Sequence, residues 1–447
     1  MVANGMSLVV ILLELAGALA ALGLGLQARD PALSAFRPWG SVAAIALGAA
    51  VLLAVWRSLV RRGSHSMQGH ALIAVAGIAV FSIMTAITAE GRYLADREKV
   101  MATEPDRLAE VGRHLIVGYI DFKSVRTLVE KKAIGGIFVS ARNVRGKSLA
   151  EVSAEIASLQ AIRRTQGLPP LWVAGDQEGG MVSRLSPPLE QRPSLGAIVR
   201  GSTEPRERAL AVESFAAEQG RELARLGITL NLAPVVDLDF DVKNADDGLT
   251  KLGRRVIHRD PEVVASVASR YCAGLADSGV FCGVKHFPGL GRARGDTHRR
   301  EVKLTTTIAE LEAADWVPFR RVSPLSTTVV MVGHVRATAI DPDAPASLSR
   351  RVITDMLRMR LGHDGLVMTD DLCMRAVTNV RRGIGSAAVD SLNAGADLLL
   401  ISWDVEQIYP VLSHLVAAAH DGRLDPAMLA RSKSRLDTLA PKLAVAR

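Results

Sequence analysis

The first 90 residues contain three long apolar runs, and these constrain the fold more than any other feature of the chain. The first run spans 6–27 with Glu14 as its only charge, and the runs at 39–56 and 71–89 carry no charge. A helix needs about 20 apolar residues to cross a bilayer. Three buried core helices are disfavoured because the runs are apolar on every face. The sequence predicts a membrane region over 1–92 with three transmembrane helices in contact with lipid.

The charges around these runs predict how the chain is oriented. The loop between the second and third runs contains Arg57, Arg61 and Arg62 and no acidic residue, which favours a cytoplasmic position. No basic segment precedes the first run, as a cleavable signal peptide would require. Three crossings then place everything after residue 90 outside the cytoplasm. We expect a multi-pass membrane protein whose larger part is extracytoplasmic, on the periplasmic side.

Charge and cysteine content narrow the possible partners. The 447 residues carry a formal net charge of +8, but the basic residues are spread along the chain and form no nucleic-acid-binding motif. We therefore expect no nucleic-acid partner. Cys272, Cys282 and Cys373 show no C-x-x-C spacing and are too few for a disulfide framework. We interpret all three as buried apolar thiols.

Beyond a linker at 93–107, short apolar runs alternate with amphipathic segments. Continuous apolar strands of this kind indicate a parallel sheet that is covered on its faces. Eight of them separated by helices predict a (β/α)8 TIM-type barrel over 108–442. A doubly wound open sheet is the alternative, but no G-x-G-x-x-G turn supports it. The predicted strands are 115–119, 136–139, 171–175, 229–236, 283–286, 328–333, 366–369 and 398–402, and the clearest helices are 207–226, 261–278, 307–322 and 350–361.

Polar residues follow most of these strands, at the end of a barrel where active sites form. A single aspartate after a strand is often only a helix cap or turn former. Five or six strand ends of this kind together indicate a site. The residues concerned are Asp176, Asp237, Lys285, His286, His334, Asp370 and Asp371.

Two of these segments fit the chemistry of glycoside hydrolysis, which needs a nucleophile and an acid/base across the scissile bond. Asp370 ends the seventh strand and is the candidate nucleophile, whereas a structural role is preferred for Asp371. In the glycine-rich loop after the fifth strand, Asp296 and His298 lie two residues apart, so the carboxylate can orient the imidazole and raise its pKa. Since no H-E-x-x-H or similar ligand set is present, we expect no catalytic metal.

The loop also carries a family resemblance. Lys285-His-Phe-Pro-Gly-Leu-Gly, followed after four residues by Asp296-Thr-His, resembles the fingerprint of the β-N-acetylglucosaminidases of glycoside hydrolase family 3. That family's β-glucosidases lack this Asp/His loop. The resemblance covers about residues 108–440. Other segments that resemble the family's motifs are Asp176-Gln-Glu-Gly-Gly-Met-Val-Ser-Arg, Asn231-Leu-Ala-Pro-Val-Val-Asp and Thr369-Asp-Asp-Leu-Cys-Met.

The resemblance implies roles for individual residues. Asp370 would be the nucleophile that forms a covalent glycosyl-enzyme, and His298, partnered by Asp296, the general acid/base. No cofactor is implied. The chain departs from the family's pattern at Thr297, where serine is usual, at Met181, where arginine is usual, and around Arg255, which follows an arginine in place of an aspartate. Sugar contacts are implied for Asp176, Arg184, Arg255, Lys285 and His286.

The implied function is retaining, exo-acting hydrolysis of terminal β-linked N-acetylglucosamine from peptidoglycan-derived or related glycans. Three alternatives stay open at this point. The barrel could have lost catalysis and serve as a membrane-anchored sugar sensor, or it could prefer another sugar, as a β-glucosidase does. A histidine acid/base would also be compatible with phosphate in place of water as the acceptor.

Overall fold

This computed structural model describes residues 2–62, 67–202, 204–242, 248–379 and 383–445. The chain divides into two compact units, Met1–Ala102 and Thr103–Arg447. Most of the predicted linker is helical, because the last helix of the first unit continues to Ala102 and the next helix begins at Pro105.

The first unit consists of three long helices, α1 (Val2–Leu26), α2 (Arg37–Arg62) and α3 (Met67–Ala102), with a short 3-10 turn at Pro31–Phe36. Small residues let the helices approach closely, as is typical of helix pairs in membranes. A Cβ added at Gly48, for example, would lie 2.7 Å from Ile83. The single acidic residue of the first run, Glu14, accepts a hydrogen bond of 2.8 Å from Ser58 on α2.

The outer surface of this unit is strongly apolar. All three helices are long and apolar enough to cross a membrane, and only 22–28% of each apolar window is buried within the unit. Large apolar side chains such as Leu13 and Phe81 are more than half exposed. Trp39 and Trp56, near the two ends of α2, are also exposed, and tryptophan is enriched at membrane–water interfaces.

The second unit is a closed barrel of eight parallel strands, which confirms the predicted fold class. The strands are β1 (Leu115–Gly118), β2 (Gly136–Val139), β3 (Trp172–Gly175), β4 (Leu230–Asn231), β5 (Phe281–Phe287), β6 (Thr328–Val332), β7 (Leu366–Asp371) and β8 (Leu398–Ile401). Their order around the barrel is β1-β8-β7-β6-β5-β4-β3-β2. The barrel closes where β1 pairs with β8, in a register that sets Leu115 opposite Leu399.

The fourth strand is much shorter than predicted. The sequence suggested 229–236, but the strand is limited to Leu230–Asn231, which is paired in register with both neighbouring strands. Pro234 interrupts the segment because proline has no backbone N–H to donate. Beyond it the backbone pairs with β5 through an isolated bridge between Val235 and Lys285.

Helices surround the barrel, and the last one covers the end at which the strands begin. Leu436, Leu439 and Leu443 of this helix belong to the same buried cluster as the barrel interior. The α-helices are Pro105–Gly112, Phe122–Glu130, Ala141–Val144, Leu149–Thr165, Leu195–Gly201, Pro205–Leu226, Pro261–Ala276, Ile308–Glu310, Val317–Val322, Arg375–Thr378, Ile384–Ala394, Ile408–His420 and Pro426–Val445. Shorter elements are the π-helical Leu311–Asp315 and Arg351–Arg360, the 3-10 turns Leu252–Arg254, Ala346–Leu348 and Val405–Gln407, and the short strands Gln177–Gly179, Val182–Ser183, Lys303–Leu304 and Arg336–Ala337.

The interpretation of the cysteines was wrong for two of the three. Cys272 and Cys282 form a disulfide that joins the helix before β5 to that strand, whereas Cys373 is a free, buried thiol. The ten-residue spacing matches no recognised cysteine motif. The two cysteines meet only because helix Pro261–Ala276 packs against β5, the strand that follows it. Disulfides persist mainly in oxidising compartments.

Candidate active site

The barrel interior changes from apolar to polar toward the carboxyl ends of its strands. Side chains two apart on a strand point to the same side. On β7 the buried residues Leu366 and Met368 belong to the interior cluster, and Asp370 is next in that series. On β5 the same alternation runs from the buried Phe281 to Lys285. On β3 it runs from the buried Ala174 to Asp176, just beyond the end of the strand.

These ends open into a pocket of about 370 Å³. Its apolar floor includes Leu232, Met331 and Leu400. Seven of the eight predicted site residues line it, and the eighth, Asp296, lies behind His298 and binds it. The seven are Asp176, Arg184, Arg255, Lys285, His286, His298 and Asp370.

Asp370 is held as a carboxylate at the pocket wall. Its Oδ1 accepts a hydrogen bond of 2.8 Å from the backbone N–H of Asp371. Burial acts to raise its pKa, but the charges of three histidines around the pocket prevail and hold the pKa below its usual value. An ionised, partly exposed carboxylate on a rigid strand end is suited to nucleophilic attack. The histidines are His334, His286 and His298.

The neighbouring Asp371 has the contacts of a structural residue. One carboxylate oxygen accepts hydrogen bonds from the backbone N–H groups of Ser402 and Trp403, at 3.0 and 2.7 Å, and from the Ser402 hydroxyl at 2.7 Å. The other accepts one from the N–H of Cys373 at 2.9 Å. Asp371 therefore ties the end of β7 to the loop after β8.

His298 and Asp296 form the predicted pair. Nδ1 of the imidazole lies 2.8 Å from Oδ1 of Asp296, which leaves Nε2 as the ring nitrogen for substrate. Burial acts to lower the pKa of His298, but the hydrogen bond to Asp296 and the charges of Asp370 and Asp296 raise it above the usual value. The raised pKa favours the protonated imidazole, which is the form that a general acid needs.

Asp296 is itself fixed by a segment that sequence reasoning missed. The backbone N–H of Leu249 and the hydroxyl of Thr250 donate to its carboxylate at 2.7 and 3.0 Å. The Thr250 hydroxyl also lies 3.2 Å from Nδ1 of His298. Although burial opposes it, the hydrogen bonds from His298 and from the N–H of Leu249 keep the pKa of Asp296 far below its usual range. No local signal pointed to Thr250, which is 46 residues before its partner.

The loop that carries the pair is attached to the barrel on two sides. Ala376, just beyond β7, donates its backbone N–H to the carbonyl of Thr297 at 3.1 Å. On the other side, the guanidinium of Arg292 lies 3.8 Å from the ring centre of Phe240 and donates to the buried Asp315 at 3.1 Å. These contacts fix the glycine-rich segment against the barrel.

A buried network connects the polar side of the pocket, and its centre, Glu178, was not among the predicted site residues. Arg255 donates to both oxygens of Glu178, at 2.9 and 2.6 Å, and Nζ of Lys285 lies 2.8 Å from the same carboxylate. Lys285 also contacts Asp176 at 2.7 Å. Burial acts to raise the pKa of Glu178, but these two cations lower it to about 2. The network brings Lys285 and Arg255 together around the carboxylate of Glu178.

Replacing Glu178 by glutamine is expected to lower the free energy of unfolding by about 3 kcal/mol, because it leaves the buried charge of Arg255 without its partner. Denaturation of the full chain in detergent, followed by tryptophan fluorescence, measures this. Glu190→Gln is the matched control, since Glu190 is 65% exposed beside Arg192 and its loss should cost less than about 1 kcal/mol. Equal effects of the two variants would contradict the role of Glu178.

His286 is oriented in a similar way. Its Nδ1 lies 2.7 Å from Oδ2 of Asp237, whose other oxygen accepts the N–H of Leu290 at 2.6 Å. His334, in contrast, is fully buried, with Ser347 at Nδ1 and the carbonyl of Asp371 at Nε2, and burial lowers its pKa. Only His286 of these two lines the pocket.

The sequence matches the glycosyl hydrolase family 3 N terminal domain over residues 109–439. The β-hexosaminidase LpqI of Mycobacterium tuberculosis is 34% identical over 347 residues, which cover 75% of this chain and 82% of that protein. A β-hexosaminidase of Nitrosomonas eutropha is 33% identical over 294 residues, covering 65% and 80%.

Solved structures agree with this assignment. A family 3 β-N-acetylglucosaminidase from a Paenibacillus species has a TM-score of 0.69 at 33% identity, and the alignment covers 76% of this chain but 63% of that longer one. A β-N-acetylhexosaminidase from Beutenbergia cavernae has a TM-score of 0.66 at 30% identity, covering 75% and 98%. The chain belongs to glycoside hydrolase family 3 and is a glycoside hydrolase of the β-hexosaminidase type.

Proposed function

We propose that this protein is a retaining, exo-acting β-N-acetylglucosaminidase that works through a covalent glycosyl-aspartate. The observation that carries the proposal is that Asp370 and His298, which is bound by Asp296, line the same pocket. The environment favours a negative charge on Asp370 and a positive charge on His298. The pKa of the Asp370 carboxylate is lowered, which favours its charged form, and the pKa of the His298 imidazole is raised, which favours its protonated form. Two titratable groups with pKa values moved in this way are suited to divide the work of nucleophile and acid.

In the proposed reaction, Asp370 attacks the anomeric carbon while His298 donates its proton to the departing glycosidic oxygen. The leaving group departs as an alcohol, and the sugar stays bound to Asp370 as an ester. His298, now neutral, then takes a proton from water, which attacks the same carbon and releases Asp370. Asp296 stabilises the charged imidazole in the first step and keeps its Nδ1 oriented in both.

The shape of the pocket supports exo action. Its floor is formed by apolar side chains of the barrel interior, which favours entry of a glycan by its end. We propose that Asp176, Lys285 and His286 hold hydroxyl groups of that terminal sugar, and that Arg184 and Arg255 complete the site. The pairs Lys285–Asp176 and His286–Asp237 are already oriented without substrate, which reduces the entropy lost on binding.

The proposed substrates are peptidoglycan-derived or related glycans that end in β-linked N-acetylglucosamine. A comparison of an aryl β-N-acetylglucosaminide with the matching aryl β-glucoside tests the sugar preference. We expect turnover of the first to exceed that of the second by at least about 100-fold, since a site built for an acetamido group leaves polar groups unpaired without it. Comparable rates would contradict the proposal.

We further propose that the three apolar helices anchor the enzyme in the membrane with the barrel on the extracytoplasmic side. The apolar surface of α1–α3 and the exposed Trp39 and Trp56 support the anchor. The arginines in the last turns of α2 support its direction. The Cys272–Cys282 disulfide supports an oxidising compartment for the barrel.

Protease added to spheroplasts tests this placement. We expect hexosaminidase activity to remain in the membrane pellet after an alkaline carbonate wash, and added protease to remove the barrel while a cytoplasmic marker survives. Activity released by the wash would contradict the anchor. A barrel protected from protease until the membrane is permeabilised would contradict the orientation.

A further inference from the structure

The second unit has three tryptophans, and one of them is unlike the others. Trp172 and Trp316 are buried, whereas Trp403, the second residue after β8, is 45% exposed. An exposed indole leaves apolar surface in contact with water, and covering that surface with a ligand is favourable. Trp403 lies on the face of the barrel where the pocket opens.

Trp403 is held rigidly in this position. Its backbone N–H donates to Asp371 at 2.7 Å, and Asp371 directly follows the proposed nucleophile. The next residue, Asp404, caps the following turn by accepting from the N–H of Glu406 at 3.3 Å and the side chain of Gln407 at 2.8 Å. An exposed aromatic on a fixed backbone is typical of a binding surface, because little entropy is lost when a ligand covers it.

Its ring is also next to the proposed acid/base. The ring centres of Trp403 and His298 are 6.5 Å apart, and the planes are inclined by 57°. A proton donor must lie within hydrogen-bond distance of the leaving oxygen. The sugar attached to that oxygen therefore extends beside His298, into the space that Trp403 borders.

Other exposed apolar residues cluster at the same place. Five large apolar side chains are exposed among the described residues of the second unit, and three belong to this rim: Ile120, Leu249 and Trp403. Leu249 lines the pocket, and Ile120 follows β1, which pairs with β8 so that Val117 is opposite Ile401. The remaining two, Leu210 and Met359, are on surrounding helices.

We propose that Trp403, with Ile120 at the end of the neighbouring strand, forms the platform on which the leaving-group sugar stacks. This rests on the proposed function and assigns the part of the site beyond the terminal sugar. The apolar face of a pyranose ring covers the exposed indole, while its hydroxyl groups remain in water. Trp403 thereby favours substrates whose leaving group is a sugar ring over those with a small leaving group.

Two substrates with the same terminal sugar separate this role from a structural one. One is chitobiose, in which the leaving group is a second N-acetylglucosamine. The other is N-acetyl-β-glucosaminyl azide, whose leaving group has no ring to stack. For Trp403→Ala we expect kcat/KM on chitobiose to fall about tenfold or more and on the azide to stay within about twofold, with Trp403→Phe recovering most of the loss.

Met359→Ala is the matched control, since Met359 is 74% exposed and lies outside the pocket, and it should change neither rate. An equal fall on both substrates in Trp403→Ala, or no fall on either, overturns the platform. A wild-type enzyme that hydrolyses neither substrate overturns the proposed function and the platform with it. The activity of the wild-type enzyme alone therefore distinguishes failure of the proposed function from failure of the platform.

Discussion

Asp370→Ala is expected to lower kcat/KM for an aryl β-N-acetylglucosaminide by about 10⁴-fold or more, because it removes the atom that bonds to the sugar. That loss corresponds to about 5.5 kcal/mol of transition-state stabilisation. The fold should survive, since the Asp370 side chain accepts only one hydrogen bond among the described contacts, from the N–H of Asp371. Steady-state kinetics together with a thermal unfolding curve separate loss of chemistry from loss of structure.

Asp364→Ala is the control for this experiment. Asp364 is exposed and lies two residues before the start of β7. Its replacement by alanine removes the same charge from the same segment at a position outside the pocket. It should keep kcat/KM within about twofold, as surface substitutions usually do. Turnover by Asp370→Ala at more than about one hundredth of the wild-type rate would rule out the proposed nucleophile.

His298→Ala is expected to show a loss that depends on the leaving group. For chitobiose, whose leaving alcohol needs a proton, kcat/KM should fall by about 10²–10⁴-fold. For a dinitrophenyl N-acetylglucosaminide, whose leaving group departs as a stable anion, the fall should be below about tenfold. The ratio kcat/KM is the proper measure, because it reports the first step even when the second becomes slow. Equal losses on both substrates would contradict the acid role.

The pH profile of Asp296→Asn supplies an independent measurement. Burial acts to lower the pKa of His298, and the hydrogen bond and charge of Asp296 help to raise it. Because the acid must be protonated in the first step, a raised pKa extends activity to higher pH. Removing the charge should therefore move the alkaline limb of kcat/KM to lower pH. An unmoved limb would show that another group sets it.

Most of the barrel was predictable because parallel strands buried on both faces must be apolar. All eight predicted strands coincide with observed ones, and seven agree in extent to within a few residues. The fourth was overestimated because a continuous apolar run hides Pro234, which removes a ladder donor. The disulfide was missed since its spacing carries no signal until the helix is packed against β5.

The site was predictable where the residues that act are close in sequence, as Asp296 and His298 are. The site was less predictable where residues that are distant in sequence come into contact only in the folded chain. Glu178 stands in a recognised motif, yet its position between Lys285 and Arg255 depends on three separate segments. The contact of Thr250 with the pair depends on a loop that returns from far along the chain, and such contacts leave no local pattern.

The central claim is that the terminal sugar becomes covalently bound to Asp370. A 5-fluoro N-acetylglucosaminyl fluoride tests it most directly, because the ring fluorine slows both steps while the good leaving group lets the first proceed. Peptide mass spectrometry should then find one added sugar on the peptide that contains Asp370, with fragmentation placing it on that side chain. A sugar attached to any other residue, or an α-anomer as the first product of normal turnover, would contradict the account.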